Sequence, residues 1–248
     1  MKFTNASTLL ALTAVAYALP AEFEVVEACS TTTATAASST AATSTAKTSS
    51  TSAPSYGGST KYSSGATASD IDNNTGCTAL TVIFARGTSE SGNIGFVAGP
   101  PMFKQLISDL GASKLTLQGV VHPADAAGNA NCGAAGDAAM AKEVSTMHCS
   151  STKVVFSGYS QGACVVHNAL QPQGVDASSI AAVVVFGDPF QSQSVGSIPS
   201  SNVLKLCAFE NSICGTPSGG ASEAGHTSYG CEASTAASFI EKITGVTK

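Results

Sequence analysis

The stretch V-V-F-S-G-Y-S-Q-G-A-C-V-V, at residues 154–166, constrains the fold more than any other part of this sequence. It places the pattern G-x-S-x-G directly between an apolar, β-branched run and a helix-like segment. In that context the serine occupies a sharp, strained turn from a strand into a helix, so the residues two before and two after it must be very small. Gly158 and Gly162 meet this requirement around Ser160. The stretch therefore predicts an exposed nucleophile, Ser160, beside the free N–H groups at the start of a helix.

The rest of the second half of the chain alternates between strand-like and helix-like segments. Four more apolar runs rich in β-branched residues lie at 78–85, 114–121, 180–187 and 202–208. Helix-like segments lie between or after them: one from Pro100 to Gly111, one at 137–144, one after Ser160 and one at 233–243. This alternation predicts an α/β fold with a mostly parallel five-stranded sheet and helices on both faces. In such sheets ligand sites gather beyond the carboxyl ends of the strands.

The first 69 residues have a different character from the rest of the chain. Residues 1–18 combine one lysine, a short apolar stretch and A-Y-A, which is the pattern of a secretory signal peptide. Residues 19–69 are rich in Ser, Thr and Ala and predict a disordered propeptide or linker. The folded domain is predicted at 70–248, with an N-glycosylation sequon at Asn73 on its edge. We therefore expect a secreted, extracellular glycoprotein without a membrane span.

Composition excludes several classes of function. A net charge of -5 makes nucleic acid and anionic membranes poor partners. The eight cysteines fit an oxidising compartment and disulfide bonds. They form no C-x-x-C pair and no histidine cluster, so we expect neither a metal site nor a cofactor. The chain lacks tryptophan, which argues against a sugar-binding module built on exposed Trp side chains.

Four histidines are candidate bases for Ser160, and their order in the chain separates them. In hydrolases built on this turn, the acid and then the histidine follow the nucleophile, so only His167 and His226 qualify. His167 lies on the predicted helix that follows Ser160 and faces away from the N-terminal end of that helix, where Ser160 lies. His226 lies in a loop just before the last helix, where a base can reach the sheet edge. His122 and His148 are interpreted as structural or exposed.

The third member of the set must lie between Ser160 and His226. The polar residues available there are Asp176, Asp188, Glu210, Asn211 and Glu223. Asp176 and Glu223 are interpreted as exposed. Asp188 ends one predicted strand and Glu210-Asn211 ends the next, so both lie at the edge of the sheet where the site is expected.

Several of these segments together resemble the cutinase family of secreted serine esterases, which also includes acetylxylan esterases. The resemblance covers nearly all of 77–248 and is carried by I-F-A-R-G-T-S-E, G-Y-S-Q-G, V-F-G-D-P, C-A-F-E-N-S-I-C and H-T-S-Y. It implies a small, lidless α/β-hydrolase that acts as a monomer, with Ser160 as nucleophile and His226 as base. It also implies an oxyanion hole formed by the backbone N–H groups of Thr88 and Gln161, with help from the Thr88 hydroxyl, and the disulfides Cys77–Cys149 and Cys207–Cys214.

The sequence departs from the family at the catalytic acid, because Asn211 stands where the family has aspartate. Three interpretations follow. Glu210 or Asp188 supplies a carboxylate instead; or the Asn211 carbonyl oxygen orients His226, as an asparagine does in Cys-His-Asn sites; or the domain has lost activity and serves as a binding or host-interaction protein. The leading hypothesis is a carboxylic ester hydrolase that works through an acyl-serine on cutin-type polyester, including insoluble plant polymer, or on acetylated xylan or short acyl esters.

The remaining details stay open. Cys29, Cys132, Cys164 and Cys231 allow three pairings. Cys164 faces a helix interior, which suits a buried free thiol. Ile94, Phe96, Val97 and Phe190 flank the predicted site and are candidates for an acyl groove or for ordinary core packing.

Overall fold

The structure is a computed structural model of the 248-residue chain. It describes residues 56–171, 174–216, 218–219 and 225–248. The predicted signal peptide, most of the predicted linker, Cys29 and Glu223 lie outside the described residues.

Five strands form one sheet in which every neighbouring pair is parallel. The strands are β1 (Leu80–Ala85), β2 (Leu115–Gly119), β3 (Lys153–Tyr159), β4 (Ile180–Phe186) and β5 (Val203–Leu206), in the spatial order β2-β1-β3-β4-β5. All five apolar runs predicted as strands are confirmed. Because the strands run in the same direction, their carboxyl ends meet at one edge of the sheet, and the candidate site lies there.

Five helices accompany the strands in the described part of the chain. They are α1 (Gly99–Leu110), α2 (Ala126–Ala130), α3 (Asp137–Thr146), α4 (Gln161–Ala169) and α5 (Ala233–Thr244). The helix α1 begins with two prolines, which fit the first turn, and ends before Gly111 with its positive φ of 84°. The four predicted helices are confirmed, and the short α2 was not predicted.

The helices cover both faces of the sheet, as the sequence predicted. Side chains alternate along each strand, so Leu80, Val82 and Phe84 of β1 join a core with α1 and α5. Ile83 and Ala85 of the same strand join a second core with α3 and α4 on the opposite face. The sheet is therefore buried on both sides, and this explains why its strands are continuously apolar.

The packed domain begins earlier than residue 70, where the sequence placed its boundary. The N–H of Gly58 donates to the carbonyl of Cys77 at 2.9 Å, and the N–H of Thr60 donates to the carbonyl of Ala112 at 3.0 Å. Tyr62 is buried, and its ring meets Phe103 edge-on. Residues 56–69 are therefore part of the fold, although their Gly- and Ser-rich composition favoured a linker.

Three disulfides are present among the described residues. Cys77–Cys149 and Cys207–Cys214 are the pairs that the resemblance implied. The third, Cys132–Cys164, shows that the interpretation of Cys164 as a buried free thiol was wrong. Within the described ranges, no helix is both long enough and apolar enough to cross a membrane.

Candidate active site

Ser160 lies at the turn between β3 and α4, in a backbone conformation that residues other than glycine rarely adopt. Its φ is 54° and its ψ is -117°. A Cβ atom on Gly158 would lie 2.2 Å from the carbonyl oxygen of Gly162, and one on Gly162 would lie 2.0 Å from that of Ala85. Only glycine fits at either position, because carbon and oxygen cannot approach so closely. The turn therefore needs both glycines to hold Ser160 at the carboxyl edge of the sheet.

His226 reaches Ser160 from the loop before α5. Its Nε2 atom lies 2.9 Å from the Ser160 Oγ atom. The Tyr159 hydroxyl donates to the backbone carbonyl of His226 at 2.8 Å, and the Tyr159 ring lies against the imidazole with 5.0 Å between the ring centres. Burial lowers the pKa of His226, so the imidazole is neutral at pH 7. A neutral imidazole within hydrogen-bond distance of a hydroxyl is the geometry of general-base activation.

The Asn211 side chain lies on the other side of the imidazole. Its Nδ2 atom is 2.9 Å from His226 Nδ1 and also donates to the Tyr229 hydroxyl, while its Oδ1 atom accepts from the N–H of Ile213 at 2.9 Å. Asn211 is 2% exposed, so these contacts replace water. An amide N–H that donates to Nδ1 leaves the imidazole proton on Nε2, facing the serine. In that tautomer His226 donates to Ser160 instead of accepting its proton.

The surroundings of residue 211 explain why the amide takes this orientation. If the amide were flipped, its NH₂ group would face the N–H of Ile213, and two donors would oppose each other. A carboxylate would have no such conflict, since both of its oxygens accept. It could accept from Ile213 N–H, from the Tyr229 hydroxyl and from a protonated His226 Nδ1 together. The site therefore has the donors that a carboxylate needs, and the amide satisfies only part of them.

Thr88 and Gln161 meet beside Ser160. The Gln161 Nε2 atom donates to Thr88 Oγ1 at 3.0 Å, and the Thr88 hydroxyl donates to Asn129 Oδ1 at 2.8 Å. The backbone N–H of Gln161 is the first of α4, so it has no acceptor within the helix. The hydroxyl proton of Thr88 is directed at Asn129 in this arrangement, so that proton is already engaged.

The sequence profile of the Cutinase family matches residues 76–243, more than half of the chain. The chain belongs to the cutinase family. It is 44% identical to Cutinase 4 of Emericella nidulans over 183 residues, which is 73% of this chain and 78% of that protein. It is 38% identical to a cutinase of Botryotinia fuckeliana over 174 residues, which is 68% of this chain and 85% of that protein.

Solved structures of the family agree with this assignment. A Trichoderma reesei cutinase in complex with a C11Y4 phosphonate inhibitor is similar with a TM-score of 0.60 and 36% identity, covering 68% of this chain and 77% of that one. An acetylxylan esterase structure is similar with a TM-score of 0.53 and 25% identity, covering 68% of this chain and all of that one. Members of the cutinase family are carboxylic ester hydrolases.

The other acids that the sequence offered as substitutes for the family aspartate have different surroundings. Asp188 is fully buried, but its partners are His167 at 2.9 Å and Lys205 at 3.0 Å. Burial alone would raise the pKa of Asp188, but the hydrogen bond and charge of His167 and the charge of Lys205 outweigh that effect. The pKa of Asp188 therefore lies below its ordinary value, and the carboxyl stays ionised. Glu210 is exposed, with a φ of 58°. The group that meets His226 Nδ1 is therefore the Asn211 amide.

The remaining polar candidates also lie away from the contact between Ser160 and His226. Asp176 caps a short turn before β4 and is exposed, as is His148. His122 is buried after β2, with its Nδ1 atom 3.2 Å from the carbonyl of Val120. His167, interpreted as an ordinary helix residue, is buried against Asp188.

A buried carboxylate fixes the turn that carries Thr88. The oxygens of Glu90 accept from the N–H groups of Gly87 at 2.8 Å, Phe96 at 2.8 Å and Val97 at 2.9 Å. Burial raises the pKa of Glu90, and these three N–H groups and the charge of Arg86 oppose the rise. Because one side chain joins both ends of the loop, the turn at Thr88 has little freedom to move.

Large apolar side chains are exposed on the loops around the site. Phe96 is 62% exposed on the Thr88 loop, while Phe209 and Ile213 are 57% and 46% exposed on the loop that carries Asn211. Ile94 and Val97, which were candidates for an acyl groove, are buried in the core instead. Phe190 is half-buried, and its ring meets His167 edge-on.

Several residues that shape the site were not singled out from the sequence. Glu90, Tyr159 and Tyr229 lie inside the family segments, but their contacts depend on loops that are far apart in the chain. Asn129 lies in a Gly- and Ala-rich stretch without any recognisable pattern. Its contact with Thr88 joins residues 41 positions apart, and nothing local in the sequence indicates it. The described residues hold no cluster of metal-ligating side chains.

Proposed function

We propose that the chain is a secreted serine esterase that hydrolyses carboxylic esters through an acyl-serine intermediate, at a reduced rate. The observation that carries this proposal is the 2.9 Å contact between His226 Nε2 and Ser160 Oγ at a strained strand-to-helix turn. Membership of a family of ester hydrolases supports it. Ser160 is the proposed nucleophile and His226 the proposed base. Asn211 takes the place of the acid, and the N–H groups of Thr88 and Gln161 form the proposed oxyanion hole.

The proposed reaction has two half-reactions. In the first, Ser160 Oγ forms a bond to the ester carbonyl carbon while its proton passes to His226 Nε2, and the carbonyl oxygen becomes an oxyanion held by the two N–H groups. The tetrahedral intermediate collapses, and His226 returns the proton to the departing alcohol. In the second, His226 takes a proton from water, the hydroxide attacks the acyl carbon, and the carboxylic acid leaves as Ser160 regains its proton.

The reduced rate follows from the amide at residue 211. For His226 to accept the serine proton at Nε2, its own proton must be on Nδ1, where the Asn211 NH₂ group opposes it. The imidazolium that forms has no carboxylate beside it, so its positive charge is stabilised less. In a serine protease, replacing the acid by asparagine lowers kcat about 10⁴-fold for the same reasons. We infer a slow esterase with the full turn-and-histidine geometry.

The substrate proposal rests on the open, apolar surroundings of the site. Phe96, Phe209 and Ile213 expose large side chains on loops near Ser160 and suit an acyl chain or an aliphatic polymer. We propose cutin-type polyester, including insoluble plant polymer, and short acyl esters as substrates. The chain is proposed to act as an extracellular monomer after removal of residues 1–18, with Asn73 as a glycosylation site. Three disulfides in the described residues suit that compartment.

The proposal is tested by hydrolysis of p-nitrophenyl butyrate with purified protein. We expect release of p-nitrophenol above the buffer rate, and its loss in Ser160→Ala. An alkyl p-nitrophenyl phosphonate should add one phosphonyl group to the wild-type protein, on the peptide that contains Ser160. Equal rates for wild type and Ser160→Ala, together with no labelling, would refute the esterase.

A second function is favoured by one observation, the Asn211 amide that faces His226. If the site is inactive, the domain is proposed to bind a partner through the exposed apolar side chains around it. The two functions are separated by turnover. In a binding protein, the phosphonate does not label Ser160, and hydrolysis does not depend on Ser160. Recovery of hydrolysis by Asn211→Asp would show that only the acid is missing.

A further inference from the structure

The third disulfide lies close to the proposed oxyanion hole. Cys164 is on α4, four residues after Ser160, and Cys132 is in the loop between α2 and α3. This bond joins α4 to residues 125–132, which we call the backing segment. The two other disulfides within the described residues join different parts of the fold. Cys77–Cys149 lies before β1 and β3, at the opposite edge of the sheet, and Cys207–Cys214 closes the loop that carries Asn211.

The backing segment supplies the oxygen atoms that orient Thr88 and Gln161. The Gln161 Nε2 atom lies 2.9 Å from the carbonyl oxygen of Asp125 and 2.9 Å from the Oδ1 atom of Asn129. The Thr88 hydroxyl donates to the same Oδ1 atom. Both residues of the proposed oxyanion hole are therefore positioned through contacts with this one segment.

The backing segment has little apolar burial of its own to hold it. Asp125, Asn129 and their neighbours at 126, 127, 130 and 131 are exposed, and only Gly128 is buried. Its helix α2 has five residues, too few for a helix that is stable alone. A segment with few buried contacts opens locally at low free energy unless something else restrains it.

The contacts that restrain the segment converge on α4. The Asn168 amide donates to the carbonyl of Cys132 at 2.8 Å. A Cβ atom on Gly128 would lie 2.5 Å from the Gln161 side chain, and one on Gly133 would lie 2.8 Å from Val165, so the backbone lies directly on the helix. The covalent bond at Cys132 is the strongest of these restraints.

We propose that Cys132–Cys164 is a positioning disulfide, which holds the backing segment against α4 so that Asn129 and Asp125 keep Thr88 and Gln161 in place. This rests on the proposed esterase function, because positioning has a rate consequence only if an oxyanion forms there. Without the bond, the segment moves away from α4, and the side chains of Gln161 and Thr88 lose their acceptors. Glu90 still ties the Thr88 turn at Gly87, so the two N–H donors lose part of their alignment and not all of it. Substrate binding away from the oxyanion is unaffected.

The test compares two double variants of the full chain, Cys132→Ala/Cys164→Ala and the control Cys77→Ala/Cys149→Ala. In the first variant, we expect kcat for p-nitrophenyl butyrate to fall about tenfold, which is less than the loss of kcat caused by removing an oxyanion donor altogether. The KM should stay within about twofold of the wild-type value. The inhibition constant of an aliphatic trifluoromethyl ketone, which forms an oxyanion, should rise by the same factor as kcat falls. The control closes a longer loop, 72 residues against 32, so it should lose more thermal stability but keep its kcat.

Two further measurements keep the proposal testable if the first variant does not fold or the wild type shows no turnover. Asn168→Ala removes the contact to the Cys132 carbonyl and leaves every disulfide intact; kcat should fall about two- to threefold. Hydrogen exchange does not need turnover, and the amides of Gly128, Cys132 and Gly133, which donate to carbonyls of the backing segment, should exchange faster in the double variant. Equal kcat in the two double variants, or unchanged exchange at these amides, would overturn the positioning role. Absence of turnover in the wild type with faster exchange in the variant would count against the esterase alone.

Discussion

Replacing Asn211 by aspartate is expected to raise kcat/KM about a thousandfold. The new carboxylate would accept from Ile213 N–H and the Tyr229 hydroxyl, the two groups that already surround residue 211. These hydrogen bonds keep it ionised despite its burial. It would then hold the His226 proton on Nδ1 and leave Nε2 free to accept the proton of Ser160.

The magnitude follows from the charge that develops on His226. The 211 side chain and the imidazole are in contact at 2.9 Å, which puts the centres of the two charges about 4 Å apart. At an effective dielectric constant of about 20, a carboxylate and an imidazolium then attract each other by about 4 kcal/mol. Since each 1.4 kcal/mol or so is a tenfold change in rate, the expected gain is about 10³-fold.

The assay is initial-rate hydrolysis of p-nitrophenyl butyrate at pH 8 by wild type, Asn211→Asp and the same variant with Ser160→Ala. Asn74→Asp is the matched control, because it adds the same charge on an exposed turn before β1 and should leave the rate unchanged. Deamidation of Asn211 must be measured by peptide mass spectrometry, since about one converted molecule in a thousand would equal the wild-type signal. A gain below about threefold would refute the reasoning from tautomer and charge.

Four further predictions concern the rest of the site. Burial lowers the pKa of His226 and no carboxylate raises it, so kcat/KM of the wild type should rise with pH at a midpoint below about 6.5, and Asn211→Asp should move that midpoint upward in a pH–rate profile. Glu90→Gln turns an NH₂ group toward the N–H of Gly87, so kcat should fall about tenfold or more with little change in KM, as steady-state kinetics will measure. Asp188→Asn removes the buried carboxylate that pairs with the Lys205 ammonium group. The free energy of unfolding, measured in urea, should fall by about 3 kcal/mol, while kcat stays within a few-fold of the wild-type value. Gly158→Ala forces a Cβ atom against the carbonyl of Gly162 and should destabilise by about 3 kcal/mol, measured by thermal unfolding.

The sheet and the contact between Ser160 and His226 were predictable because both depend on local patterns. Strands buried on both faces read as continuous apolar runs, and the five runs in this chain became the five strands. Gly158 and Gly162 around Ser160 specify the turn by sterics alone. The position of His226 followed from chain order and from its loop before the last helix.

The contacts around that centre were not predictable, because they join loops that are distant in sequence. The choice among Asp188, Glu210 and Asn211 depended on which side chain meets the imidazole, and strand-end location did not separate them. The pairing of Cys132 with Cys164 depended on how a short, polar loop packs on α4. The N-terminal stretch at 56–69 packs through backbone hydrogen bonds, which leave no trace in composition.

The bridge from Cys207 to Cys214 closes a small ring of chain around Asn211. That ring fixes where the side chain points whether it ends in an amide or an acid, and the two differ by a single non-hydrogen atom. Codons for asparagine and aspartate differ by one base. A lineage that carries this ring can therefore gain or lose fast turnover in one mutational step without rebuilding any of the surrounding architecture.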